Sequence, residues 1–417
     1  MAVYRRNGCR VKSIEFKNNG VRIDELKIDE VDVLVPENSK LKKGRQPENS
    51  KLKKAQIVDW IDYEAKRKLR EGNLTNIEQI VEGAKIASKR LGTFTVNGWR
   101  IVENKGRYIL VFDIEEQSRG YLEFGVSTTT SGEQDLLGKL KASYRKTNGS
   151  KISGEISSGK LDNETIVNGS LSYYNPHVLT INGERIFSNI SIFRESYINY
   201  LENNVDTKLG GSIELGSEVG KNSTVWVRPF GYGLEGSGLG VFGLYTGYTY
   251  DTRKENTGNY FSIYAGPIYS GEGIGVKGGV DGRKYIPLPK DGTLALRFYS
   301  SLGTNLPQSE IFYFGNNQGL WRGMLEDILT GQGLLGASAE VRTKKYKIYK
   351  NVYLQPYLFI DAGTLFDWDD GKFNLLPWGG GGLRIYAPVI GCINLFFGWP
   401  IGTSGIPHFG FTLGESW

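Results

Sequence analysis

The chain has 417 residues, with 51 Lys and Arg against 45 Asp and Glu, 56 glycines, 24 tyrosines and 19 phenylalanines, but two histidines and two cysteines. His177 and His408 are too few and too far apart for a histidine-based metal site or catalytic centre. Cys9 and Cys392 supply neither a disulfide framework nor a zinc cluster. A helix needs about 20 apolar residues to cross a bilayer. The longest largely apolar stretch, Val389 to Ile401, is shorter and holds Asn394 and Pro400, so no segment crosses as a helix. A membrane β-barrel alternates lipid-facing with lumen-facing residues and reads as polar on average, so the mean hydropathy of -0.34 leaves that class open.

Residues 1–10 form a basic tail without the apolar run of a secretory signal. A barrel made in the cytosol and delivered to an organelle needs no such signal. Residues 11–118 form one small mixed region. Val11 to Phe16 alternates and ends at Asn18-Asn19-Gly20, a strand and a turn. A charged insertion over 36–54 follows, in which PENSKLKK occurs twice. It reads as a duplicated, solvated loop, or as a basic surface for acidic lipid or an acidic partner.

Ala55 to Glu71 then has helical spacing through Ile57, Trp60, Ile61 and Leu69, with Gly72 as a stop. Thr75 and Glu78 form a capping box before Ile77, Ile80, Val81, Ala84, Ile86 and Ala87, and Gly92 ends this second helix. Two strands follow, Phe94 to Glu103 and Tyr108 to Ile114, joined by a turn at Asn104-Lys105-Gly106. The order is β-α-α-β-β.

From 119 to 417 the pattern changes to alternating segments of about ten residues separated by Gly, Asn, Asp and Ser. Sixteen strands are predicted, starting near 120, 136, 151, 165, 185, 208, 224, 240, 259, 273, 292, 336, 353, 378, 391 and 407. Leu358, Ile360 and Ala362 share one face of their strand; Tyr357, Phe359 and Asp361 share the other. So many strands without a dividing linker call for closure, which removes the sheet edges. The fold class is therefore mainly β: a sixteen-stranded antiparallel transmembrane barrel behind one small α/β domain. One connection, 301–335, breaks the rhythm, and its aromatic residues point to packing inside the lumen. The glycine run 379–382 lacks the helix and lysine of a phosphate loop.

A small β-α-α-β-β domain before a sixteen-stranded barrel resembles the POTRA-plus-barrel outer-membrane assembly superfamily. Within that superfamily the chain is most similar to the barrel core subunit of the mitochondrial sorting and assembly machinery. Residues 91–116 resemble the closing half of a POTRA domain. The long connection carries Leu320, Arg322, Gly323 and Met324 where the superfamily's inward loop carries Arg-Gly-aromatic. Met324 departs from that pattern. Phe359-Ile360-Asp361-Ala362-Gly363 fits the superfamily's Phe-x-Asp-x-Gly strand, whose acidic residue pairs with the loop arginine. Taken singly, Arg322 reads as a solvated loop arginine and Asp361 as an ordinary lumen-facing residue.

The resemblance implies an outer-membrane insertase that assembles β-barrel precursors through a lateral gate between its first and last strands. Gly120, Gly125, Phe409, Gly410, Phe411 and Leu413 are the gate residues this implies. Gly125 and Gly410 either weaken their strands locally or serve a barrel kink or room for a neighbouring aromatic. The implied partners are unfolded barrel precursors, accessory subunits of an assembly complex and membrane lipid. No nucleic acid, cofactor, metal or enzymatic reaction is implied. The implied location is the outer membrane of a mitochondrion or a related organelle, with plastid and bacterial outer membranes as alternatives. The competing function is a polypeptide-translocating pore of the two-partner secretion or plastid import type.

Overall fold

The fold is described from a computed structural model of the chain. It describes residues 11–17, 20–25, 28, 30–34, 49–69, 77–116, 120–129, 137–146, 148–161, 164–199, 204–220, 222–235, 240–253, 257–313, 322, 330–350, 352–368, 375–387, 391–402 and 407–413. The chain divides into two compact units: Met1–Tyr121 with Tyr144–Lys151, and Leu122–Ser143 with Ile152–Trp417.

The first unit holds two helices, α1 (Asn49–Leu69) and α2 (Ile77–Leu91). Its three-stranded sheet has Arg107–Glu116 in the centre, antiparallel to Phe94–Asn104 and parallel to Glu30–Leu34. Ile77, Ile80, Ala84, Ala87 and Leu91 recur at helical spacing on α2 and are buried against Trp60, Ile61 and Ala65 of α1 and Val33, Leu110 and Phe112 of the sheet. The helices approach closely at Gly83, where an added Cβ would lie 2.7 Å from the Ala65 backbone nitrogen. Gly92 ends α2 in the left-handed region, φ 56°, its N–H donating to the Ser88 carbonyl at 2.8 Å. Lys105 and Gly106 both have positive φ, the geometry of a tight two-residue hairpin turn.

Three expectations need correction here. The strand that joins the helix-bearing sheet is Glu30–Leu34, in the charged stretch just before the 36–54 insertion, where no strand was predicted. Val11–Lys17 instead pairs with Gly20–Glu25 in a separate two-stranded sheet. The short alternation of Glu30–Leu34 was hidden by the charges around it, although Val33 is fully buried. The 36–54 insertion is not all loop either, because α1 starts at Asn49 and takes in the second repeat from there on. Residues 35–48, Gly72 and Thr75 lie outside the described residues.

The second unit is a closed antiparallel barrel whose sheet is sixteen-stranded, from Gly120–Thr129 to His408–Leu413. The predicted starts lie within a few residues of the observed ones along its whole length. A four-residue strand, Tyr346–Tyr349, extends one hairpin. Alternation sets the faces: Leu358 and Ile360 point out, 69% and 58% exposed, while Tyr357, Phe359 and Asp361 point into the lumen and are buried. Phe242, Leu244, Phe397 and Trp399 are also exposed on the outer wall, as a lipid-facing surface requires. The long connection is shorter than the predicted 301–335, because its flanking strands run to Thr304 and restart at Gly333.

Candidate functional site

Arg322 is the central residue of the lumenal site. Its side chain is 4% exposed although no regular element carries it. Nε donates to Asp361 Oδ2 at 2.9 Å and Nη2 to Asp361 Oδ1 at 2.7 Å, a bidentate pair. The Arg322 backbone N–H donates to the same carboxylate at 3.2 Å. Nη1 donates to Glu340, and Nη2 also reaches Ser338 Oγ at 3.0 Å. Burial by itself pulls the Arg322 pKa down. The hydrogen bonds to Asp361 and the charges of Asp361 and Glu340 outweigh that, so the guanidinium is held more firmly protonated than usual.

The sheet register assembles these partners. Ser338 stands opposite Asp361 and Glu340 opposite Phe359 in the ladder between Gly333–Arg342 and Val352–Phe366. All four side chains face inward. Glu340 also meets Arg342 at 2.6 Å and Arg384 at 2.7 Å. Three arginines and two carboxylates therefore share one buried network. A buried charge is tolerated only when paired and hydrogen-bonded, and each carboxylate here holds more than one donor.

The aromatic floor explains the glycine run. The Arg322 guanidinium lies 3.7 Å from the centre of the Phe359 ring, which stacks beneath it. A Cβ at Gly380 would come within 2.6 Å of that ring, and one at Gly382 within 2.4 Å of the Tyr357 ring. The flat strand surface at 379–382 is what lets both rings lie down. On the next strand, a Cβ at Gly398 would sit 2.7 Å from the Arg322 carbonyl oxygen. Gly380, Gly382 and Gly398 thus shape the recess that receives the loop. Sequence reasoning rejected the run as a phosphate loop and gave it no other role.

A second anchor holds the first leg of the same connection. Glu310 accepts from three strands at once: from Lys277 at 2.6 Å, the Tyr232 hydroxyl at 2.6 Å and Lys208 at 3.4 Å. Ser309 Oγ lies 2.8 Å from the Tyr232 hydroxyl. Burial pushes the Glu310 carboxyl up, but the Lys277 and Lys208 charges and the hydrogen bonds from Lys277 and the Tyr232 hydroxyl win and bring it to about 2. Sequence reasoning missed this cluster, since its members are scattered over more than a hundred positions and match no motif.

The predicted site residues therefore divide. Arg322, Phe359 and Asp361 come together. Gly363 lies opposite Gly336 in the ladder and takes no part in the Arg322 hydrogen bonds among the described residues. Leu320, Gly323 and Met324 lie outside the described residues.

The predicted gate residues all belong to the strands that close the barrel. Their seam has two register pairs among the described residues, Gly410 with Thr129 and Phe411 with Thr128. The ladder between Gly333–Arg342 and Val352–Phe366, by contrast, runs unbroken from Gly333–Phe366 to Arg342–Tyr357. Gly120, Gly125, Phe409 and Leu413 lie on the seam strands outside the two pairs. A Cβ at Gly410 would lie 2.0 Å from the Phe396 ring, so this glycine makes room for an aromatic neighbour.

Residues 241–417 match the Omp85 superfamily domain. No curated protein matches the sequence. Among solved structures, BamA from Haemophilus ducreyi lacking POTRA domains 1–3 is similar at 15% identity and TM-score 0.57, over 98% of this chain and 90% of that one. CdiB from Escherichia coli is similar at 12% identity and TM-score 0.63, over 99% and 82%. CdiB from Acinetobacter baumannii is similar at 13% identity and TM-score 0.62, over 93% and 73%. At these identities the similarity is one of fold.

Proposed function

We propose that this chain, a member of the Omp85 superfamily through the domain at 241–417, is an outer-membrane insertase for β-barrel precursors. The observation that carries this reading is the seam. Among the described residues, two register pairs close the barrel between strands of ten and six residues. A short seam can part into strand edges, and a strand edge templates an incoming strand by β-augmentation. A precursor strand adding to Gly120–Thr129 or to His408–Leu413 would enter the bilayer with its backbone already paired, as hydrocarbon demands.

The lumenal network serves the same function. Arg322 and Glu310 tie a long connection to the inner wall at two points, so the lumen is furnished with a fixed loop as the seam opens. The partners this implies are unfolded barrel precursors and accessory subunits of an assembly complex. The placement in the mitochondrial branch follows from the sequence resemblance, and fractionation of organelle outer membranes tests it.

The decisive experiment replaces Thr128 and Phe411, which face each other across the seam, with cysteines in a chain carrying Cys9→Ser and Cys392→Ala. If oxidation locks the seam and stops assembly of a radiolabelled barrel precursor, and reduction restores it, the insertase reading holds. If a locked seam leaves assembly unchanged, the reading fails. A polypeptide-translocating pore, which carries cargo through the lumen, then takes its place.

A further inference from the structure

The two rims of the barrel differ in charge. The chain enters the first strand at Gly120 and leaves the last at Leu413 on the same rim, here the near rim. The connecting sequences at the near rim carry nine Lys and Arg against two acidic residues. Apart from the lumenal connection, those at the far rim carry nine Asp and Glu, including Glu133, Asp135, Glu235, Glu272, Asp369 and Asp370, against one basic residue.

The near-rim charge is densest in the hairpin around 343–351, which reads Thr-Lys-Lys-Tyr-Lys-Ile-Tyr-Lys-Asn. Tyr346 pairs with Leu354 and Tyr349 with Val352. Those partners share a face with the outward-pointing Leu358 and Ile360, so both tyrosines stand on the lipid side of the wall. Tyr346, Ile348 and Tyr349 are 47%, 56% and 63% exposed. Lys344 sits 5.3 Å from the Tyr346 ring centre and Lys350 5.5 Å from the Tyr349 ring centre. Amphipathic rings on the apolar side with ammonium groups beside them match the depth profile of a membrane interface.

We propose that this hairpin is a docking site for anionic phospholipid headgroups, with Lys344, Lys347 and Lys350 contacting phosphate while Tyr346 and Tyr349 fix its depth in the bilayer. A lysine near an anionic surface gains attraction that falls off within a Debye length. The acidic far rim is repelled by such a surface, so one leaflet is selected.

The test uses the full chain in nanodiscs of phosphatidylcholine, with and without phosphatidylglycerol. A water-soluble lysine-acylating reagent is read out by peptide mass spectrometry, with Lys105 as internal reference. Modification of Lys344, Lys347 and Lys350 is expected to fall about fivefold in the anionic discs and to recover at high salt. Equal modification in both discs overturns the proposal. So does equal protection by inorganic phosphate in phosphatidylcholine discs, which would mark a free-ion site. The variant with Lys344→Gln, Lys347→Gln and Lys350→Gln is expected to lose its enrichment of phosphatidylglycerol in mixed discs. It should keep the heat-modifiable gel mobility of a folded barrel. If it enriches anionic lipid like the parent, the hairpin is not the site.

Discussion

Arg322 gives Asp361 three hydrogen bonds, two from its guanidinium and one from its own backbone N–H. Side chain and main chain converge on one carboxylate, so the contact fixes the path of the chain as well as a charge. Arg322→Ala removes the cation and leaves Asp361 and Glu340 short of their partner. By the general behaviour of buried pairs this costs on the order of 3–5 kcal/mol. Arg322→Lys keeps the charge but cannot make the bidentate fork, so it is expected to fall between parent and Arg322→Ala. Limited proteolysis of the 305–332 connection, with the heat-modifiability midpoint of the folded barrel, measures both. An Arg322→Ala protein as resistant as the parent would refute the seating of the loop.

Gly398 makes a separate prediction about shape. Gly398→Ala would push a methyl group to 2.7 Å from the Arg322 carbonyl oxygen, and the other neighbour is the Phe359 ring at 3.3 Å. The loop has to shift, at a typical overpacking cost of about 1–3 kcal/mol. Gly282→Ala is the control, since an added Cβ there meets nothing within 4 Å. The expected outcome is raised protease sensitivity of the connection for the first variant and parent-like resistance for the second.

The barrel was legible in the sequence because its signal is local. Stretches such as 355–361 alternate, and Leu358 and Ile360 were assigned to the face opposite Tyr357, Phe359 and Asp361 from period alone. The Arg322–Asp361 pair became legible through spacing joined to a family resemblance. The rest depends on register. Nothing near Glu310 in sequence announces Tyr232, Lys208 or Lys277, and nothing in 379–382 announces the Phe359 and Tyr357 rings laid across it. Glu30–Leu34 was missed for a different reason: five residues of alternation are too few to stand out among charges.

Glu310 predicts a pH response. Its folded-state pKa, about 2, lies below the ordinary glutamate value of 4.5. A depressed carboxyl stabilises the folded state above its unfolded pKa, and that contribution is lost as the pH falls through the folded pKa. The first leg of the connection is therefore expected to stay seated at neutral pH and to loosen progressively from about pH 4.5 down to about pH 2. Glu310→Gln keeps the shape but removes the charge that Lys208 and Lys277 face, so it should be looser already at neutral pH. It should also show a flatter response over the acid range. Acid-pulse proteolysis of the two proteins distinguishes these outcomes, and identical acid profiles would show that Glu310 does not hold the leg.

The seam makes the last prediction. A backbone amide exchanges with solvent at a rate set by the free energy of opening its hydrogen bond, and short ladders open most readily. His408–Leu413 pairs along Ile393–Gly398 on one side, but across the seam it has two pairs among the described residues, at Gly410 and Phe411. Val352–Phe366 has long ladders on both sides, from Gly333–Arg342 and from Leu376–Ala387. In hydrogen–deuterium exchange on the reconstituted barrel, peptides covering Gly120–Thr129 and His408–Leu413 should take up deuterium faster than those covering Val352–Phe366. Oxidation of the Thr128→Cys, Phe411→Cys protein should slow the two seam strands and leave Val352–Phe366 unchanged. Seam peptides already as protected as Val352–Phe366 before oxidation would mean that the two strands are held together by more than the two pairs, and the barrel would then have no weak edge to offer an incoming strand.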